Sequence, residues 1–257
     1  MSEGPPDDAL KEIPVKTFTS FLRIFAGLVC IGVLVVLTTP ILLLLLPWRV
    51  QRIYVTNFLG TLVGRTALFW SGSKVKVEGL EHFHPERPAI YIANHTSIFD
   101  AFTTIWLTPK GTVGVAKKEV FFYPFYGQAW WLAGHVFLDR GRTDRAKATL
   151  RKTAEFIRDN GLSLCILPEG TRSTRGLLPF KKGVAHLALA TRLPIVPMVH
   201  VGLENTWKKG TLHLEPADVT ITFLPAISTE SWTEDRIDEQ LAEIRKPFLA
   251  YVKEAEV

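Results

Sequence analysis

Two short stretches of this chain carry side chains that could do chemistry, and the first is Asn94-His95-Thr96-Ser97-Ile98-Phe99-Asp100. It sets an imidazole and a carboxylate five residues apart. On a regular helix that spacing turns through about 500°, so the two side chains would point about 140° apart. They meet only if His95 lies on a strand-to-helix turn and Asp100 reaches back from the first turns of the helix. A pair held that way is a general base with an orienting carboxylate. The Asp fixes the tautomer and stabilises the imidazolium, while the other ring nitrogen takes a substrate proton. The chain has no Gly-x-Ser-x-Gly elbow, so such a base would act on the hydroxyl of a bound acceptor. The bland alternative is a His that caps a helix or fills a core.

The second stretch is Leu167-Pro168-Glu169-Gly170-Thr171-Arg172-Ser173, which follows the apolar run Leu162 to Ile166. A strand end followed by these residues offers backbone N–H groups, hydroxyls and a guanidinium at the edge where α/β sheets bind ligands. Its plainer reading is a polar turn with a surface Arg.

Both stretches need a scaffold, and the pattern beyond Ser71 supplies one. Strands are expected at Val75 to Val77, Ala89 to Ala93, Thr112 to Ala116, His135 to Leu138, Leu162 to Leu167 and Ile195 to Val201. Between them Ser97 to Leu107, Thr143 to Asp159 and Lys181 to Arg192 carry apolar residues at helical spacing. This alternation predicts an α/β domain with a mostly parallel central sheet flanked by helices. Leu212 to Leu214 and Val219 to Phe223 read as further strands. A final helix is expected to be capped by Ser231 with Glu234, burying Ile237, Leu241, Ile244, Phe248 and Val252.

With 257 residues, 47% hydrophobic and 21% charged, the chain is too apolar and too varied for disorder, collagen or a bare coiled coil. From Ile24 to Trp48 there are 25 residues without a formal charge, enough for a helix to cross a hydrocarbon core. A cleaved signal peptide fits poorly, since the run is long and has no small-x-small site before Pro47. Pro40 divides the run, so a pair of shorter helices dipping into one leaflet is the alternative to one span. Behind it Phe58, Leu59, Leu62, Val63, Leu68, Phe69 and Trp70 read as an interfacial helix or an ordinary core helix. The expected organisation is a leader over 1–16, membrane-embedded or interfacial helices over 17–70, and the α/β domain over 71–257.

The net charge of +5 is unevenly placed: Val136 to Arg192 holds 12 Lys/Arg against 5 Asp/Glu, while Leu214 to Val257 holds 4 against 10. The basic third is where anions would bind. Cys30 and Cys165 are the two cysteines, and with Cys30 inside the apolar run neither a disulfide framework nor a Cys-based zinc site is expected. His82 and His84 lack partners at metal-ligand spacing, and no P-loop or Gly-x-Gly-x-x-Gly calls for a nucleotide. The basic stretches carry no interleaved aromatics, which argues against nucleic acid.

Taken together, four ordered blocks resemble the glycerolipid acyltransferase family. They are Asn94 to Asp100; Gly134-His135-Val136-Phe137-Leu138-Asp139-Arg140; Leu167 to Ser173; and Leu193-Pro194-Ile195-Val196-Pro197-Met198. Ala116-Lys117-Lys118-Glu119 and Phe180-Lys181-Lys182-Gly183 also look like family sequence, and the resemblance runs from Val75 to Val201. It implies acyl transfer from a thioester, acyl-CoA or acyl carrier protein, to the sn-2 hydroxyl of lysophosphatidic acid, giving phosphatidic acid. By the same resemblance His95 is the base and Asp100 its orienting partner. Lys117, Arg140, Glu169, Gly170, Thr171 and Arg172 form the acceptor-binding set, with Glu169 holding the loop or a basic neighbour rather than touching phosphate. Pro194 and Pro197 read as structural. No metal or cofactor is implied beyond the thioester co-substrate. The implied location is a membrane, for a bacterial enzyme the inner membrane with the active site in the cytosol. The alternatives are another lysolipid as acceptor, or a protein that keeps the fold only to bind anionic lipid.

Overall fold

A computed structural model of the chain describes residues 7–123, 126–139, 141, 143–173, 175–207 and 213–255, with side chains from residue 17 onward except at 143. The predicted sheet is present, with seven strands: β1 Lys74–Glu78, β2 Ile90–Ala93, β3 Thr112–Lys117, β4 Val136–Leu138, β5 Ser163–Ile166, β6 Ile195–Val201 and β7 Asp218–Phe223. Their order across the sheet is β1-β7-β6-β2-β5-β3-β4. From β6 to β4 every pairing is parallel, so the C-terminal ends of β6, β2, β5, β3 and β4 share one edge. β7 runs antiparallel to β6 and carries β1 parallel to itself.

The helices are α1 Asp7–Leu44, α2 Arg49–Ser71, α3 Phe99–Leu107, α4 Tyr126–Leu132, α5 Thr143–Asp159, α6 Gly183–Thr191, α7 Leu203–Thr206 and α8 Ile237–Arg245. Strand alternation explains the layers they form. Ile90 and Ile92 of β2, with Ile195 and Val199 of β6, meet Leu150 and Ile157 of α5, Val184 and Leu187 of α6, and Ile244 of α8. Tyr91 and Ala93, with Val196 and Met198, point the other way, toward Leu68 of α2 and Phe99 of α3. A parallel sheet covered on both faces needs apolar residues at nearly every position, which is what the short runs in β2 and β6 provide.

β2 and β5 are neighbours, yet α3 after β2 packs on one face and α6 after β5 on the other. A crevice opens where successive connections leave a sheet in opposite directions. Both stretches singled out from the sequence lie at its mouth.

The apolar run folds as one helix through Pro40, and the division allowed for there does not occur. The hydroxyls of Thr38 and Thr39 bond back to the carbonyls of Leu34 and Val35 in the turn before the proline. The chain reverses instead at Leu45 to Trp48. Thr17–Leu44 is long and apolar enough to cross a membrane, with mean hydropathy 2.6, and most of its side chains are exposed.

α2 packs one face into the protein and leaves several large apolar side chains exposed. Its buried stripe runs Ile53, Asn57, Gly60, Gly64, Ala67 and Leu68, while Tyr54, Phe58, Leu62 and Phe69 are exposed. Gly60 and Gly64 let α3 approach closely, since a Cβ at Gly60 would meet Ile105 and one at Gly64 the carbonyl oxygen of Phe102.

Two expectations near the C-terminus need correction. Leu212 lies outside the described residues, and Leu214 forms a single bridge with Trp207 rather than a strand. Ser231 is exposed and caps nothing: the helix is entered through a 3₁₀ turn at Glu234–Arg236 after Thr233, without a side-chain cap. Of the residues expected to be buried there, Ile237, Leu241, Ile244 and Phe248 are buried, because apolar spacing toward the sheet outweighs a cap in placing a helix. Val252 is only half-buried and lies past the end of the helix.

The tight crossing of α2 and α3 is testable. Gly64→Val forces α3 away from α2, and a loss of about 1–3 kcal/mol is expected in urea unfolding of the detergent-solubilised protein. Gly32→Ala on α1, where nothing lies within 4 Å of the added methyl, should raise stability slightly, by about 0.5–1 kcal/mol, through helix propensity alone.

Candidate active site

His95 sits in the turn between β2 and α3, and Asp100 lies in the first turn of α3. The five-residue spacing closes there, with Nδ1 of His95 at 3.0 Å from Oδ2 of Asp100. The same oxygen accepts the backbone N–H groups of Thr96 at 2.6 Å and Ser97 at 2.8 Å. Its partner Oδ1 faces Nδ1 of His200, at 3.4 Å. Asp100 is completely buried. Burial alone would raise its carboxyl, but hydrogen bonds from His200 and His95 more than offset this and hold it below its ordinary value.

An ionised Asp100 can only accept, so Nδ1 of His95 carries the proton and Nε2 carries the lone pair. Among the described residues Nε2 has no hydrogen-bond partner, and the ring is partly open to solvent. This is the geometry of a base waiting for a substrate proton.

Glu169 joins the second stretch to the first. It is 1% exposed. Oε1 accepts the N–H of His95 at 2.6 Å, and Oε2 the N–H of Leu178 at 2.8 Å. Burial raises its carboxyl, opposed by those two backbone donors. Ser173 N–H completes the connection by donating to the carbonyl of His95 at 2.8 Å. Gly170 turns the loop at φ +73°, a left-handed conformation suited to glycine. A cavity of about 200 Å³ opens beside this junction, lined by Thr96, Glu169, Ser173 and Glu204, with Tyr251 and Lys253 from the C-terminal segment. A larger one of about 370 Å³ lies at His186, Arg192 and Trp232 and shares no residue with the His95 cluster.

Of the remaining candidates, Lys117, Thr171 and Arg172 lie at the same sheet edge without a hydrogen bond to His95 among the described residues. Lys117 ends β3 and is exposed, next to Lys118, which pairs with Asp139 at 2.9 Å. Thr171 and Arg172 are exposed on the loop after β5, and among the described residues neither Lys117 nor Arg172 is in an ion pair. Arg140 lies outside the described residues.

Two residues were missed in the sequence. His200 was unremarked inside an apolar strand, although a polar side chain in a run that is otherwise buried is itself a signal. Asn94 stands in the sequence only as the first residue of the His95 block. Its side chain donates to the carbonyl of His200 and accepts the His200 N–H, both at 2.8 Å, which locks β2 to β6 beside the base.

Comparison with known proteins follows the same boundaries. Residues 74–201 match the family described as Acyltransferase. The chain is 42% identical over 236 residues to the 1-acyl-sn-glycerol-3-phosphate acyltransferase of Limnanthes douglasii, covering 90% of this chain and 83% of that protein. It is 40% identical over 243 residues to the protein of the same name from Cocos nucifera, covering 94% and 78% respectively. Its fold is similar to the crystal structure of the 1-acyl-sn-glycerophosphate acyltransferase from Thermotoga maritima. The TM-score is 0.70 at 23% identity, over 93% of this chain and 97% of that one.

One titration follows from the second block. Nδ1 of His135 accepts the N–H of Gly114 at 3.2 Å, tying the approach to β4 onto β3. Burial, with a smaller contribution from Arg49, pushes His135 down from 6.5 to about 4. Between those values the unfolded chain binds a proton that the folded one refuses, so stability is full above pH 6.5 and falls with decreasing pH. The expected loss between pH 7 and pH 5 is about 1–2 kcal/mol in urea titrations. His135→Asn, whose Oδ1 can accept the same N–H, should flatten that slope.

Proposed function

The chain belongs to the acyltransferase family, and from that premise we propose that it acylates the sn-2 hydroxyl of lysophosphatidic acid, giving phosphatidic acid. The donor is a thioester of coenzyme A or acyl carrier protein, and no further cofactor takes part. The observation that carries this reading is the 3.0 Å contact between Nδ1 of His95 and a fully buried, ionised Asp100. It leaves one imidazole nitrogen as an acceptor at the mouth of the crevice.

The chemistry needs little more. Nε2 of His95 takes the hydroxyl proton as the oxygen attacks the thioester carbonyl, and the C–O bond forms. The tetrahedral oxyanion then collapses, the C–S bond breaks, and the imidazolium returns its proton to the departing thiolate. The products are the ester and the free thiol, with no acyl-enzyme between them. A thioester is already activated, so alignment of the acceptor and stabilisation of the oxyanion dominate the barrier. In this reading Arg172, Thr171, Lys117 and Arg140 hold the phosphate, and the Gly170 turn presents the loop. Glu169 supports them by holding the loop against the backbone of His95. The names of the plant relatives favour this acceptor. The apolar helix α1 fits a substrate and a product that both reside in a membrane.

Purified protein in liposomes should form phosphatidic acid from lysophosphatidic acid and a thioester, and His95→Ala should lower the rate about 10²- to 10⁴-fold. Activity that survives the substitution would move the chemistry elsewhere. Arg172→Ala should raise KM for lysophosphatidic acid about tenfold, as expected on losing a charge-assisted bond to phosphate. The change should be much smaller for lysophosphatidylcholine, whose phosphate is masked by a headgroup. Equal changes for the two acceptors would count against a terminal-phosphate site.

A further inference from the structure

We infer that His200 is a positioning residue for the His95–Asp100 pair, holding the carboxylate from the side opposite to the base. The inference rests on the reading of His95 as general base, and its argument begins with strand alternation. Val196, Met198 and His200 project from the same face of β6, toward α3. That face carries Asp100, a hundred residues earlier in the chain.

The donors to Asp100 are divided unequally. Oδ2 receives three, from Thr96 N–H, Ser97 N–H and His95 Nδ1. Oδ1 has one partner among the described residues, Nδ1 of His200. Without it, one oxygen of a fully buried carboxylate would lack a donor among the described residues, and only the bonds to Oδ2 would hold its plane. The 3.4 Å separation is at the long end for a hydrogen bond. Its weight comes from isolation: the His200 ring and Asp100 are completely buried, and among the described residues Nε2 of His200 has no hydrogen-bond partner.

Those contacts also fix the tautomer. A proton on Nδ1 is donated to Oδ1 and leaves only a lone pair on Nε2. The opposite tautomer would set a lone pair against a carboxylate oxygen and bury an N–H without an acceptor, which costs more on both counts. Asn94 holds the backbone of His200 through its paired 2.8 Å bonds, so the ring cannot retreat along the strand. The base, its orienting carboxylate and this second imidazole therefore form one unit drawn from β2, α3 and β6.

The tautomer is measured directly in full-length protein labelled with ¹⁵N-histidine in detergent, by long-range ¹H–¹⁵N correlation. Signals lost in His200→Asn identify the residue. Protonation at Nδ1 is expected, and protonation at Nε2 would overturn the inference. Kinetics supply the functional test. His200→Phe fills the space without a donor, whereas His200→Asn restores an N–H near the position of Nδ1. The Phe variant should lower kcat about 10- to 100-fold with KM for lysophosphatidic acid within about twofold, the cost of a lost bond to a charged group. The Asn variant should recover most of kcat. Wild-type kcat in the Phe variant, or equal losses in both, would reduce His200 to packing. If the Phe variant does not fold, the tautomer still decides. If the wild-type protein makes no phosphatidic acid, the proposed reaction fails while the tautomer is read without turnover.

Discussion

A carboxylate taken wholly out of water must find donors for both oxygens, and the site is built around the way Asp100 meets that demand. Two donors are backbone N–H groups from the turn that bears His95, and two are imidazoles from β2's turn and from β6. Each arrives only if the strand order, the entry angle of α3 and the register of β6 on β2 are all correct. The resulting charge fixes which nitrogen of His95 keeps its proton. Fold and reactivity are thus joined through one buried ion.

A second buried carboxylate extends the same logic outward. Glu169 ties the loop after β5 to the backbone of His95 on one side and to Leu178 on the other. Leu177 is in turn held by the C-terminal segment, where its N–H donates to Lys253, and by Arg245, which reaches its carbonyl at 2.9 Å. The two carboxylates that set geometry are therefore buried and held by backbone and imidazole donors. Lys117, Thr171 and Arg172, the residues proposed to bind the acceptor, are exposed. Rigidity beneath and open cations above would suit the proposed alignment of a hydroxyl beside a charged headgroup.

The N-terminal helices contribute through shape as much as through apolarity. The Gly60 and Gly64 face of α2 brings α3 in by close backbone packing, so the helix bearing Asp100 is seated by the hairpin that also displays Phe58 and Phe69. α1 exposes Phe25, Leu28, Val36 and Leu37 along its length. This pair of helices thus presents two faces, small residues toward the protein core and large apolar ones away from it.

Much of this could be read in one dimension. Alternating short apolar runs and helical stripes gave the α/β sheet, because strand and helix periods are local properties of the chain. The five-residue interval in the first block required a turn before the helix, and the apolar run announced itself by length. The uncapped entry to α8 and the single bridge at Leu214 were settled by packing that local signals do not contain. The same holds for the site. His95 and Asp100 were visible because they stand five positions apart, while His200 and Asn94 were not, because they stand 106 positions apart and only the pairing of β6 with β2 brings them together. The sequence by itself determined the element types and the reactive pair, and the order of strands across the sheet decided which distant side chains complete it. Spacing along a chain constrains near neighbours, whereas contacts between remote residues exist only after the sheet has formed.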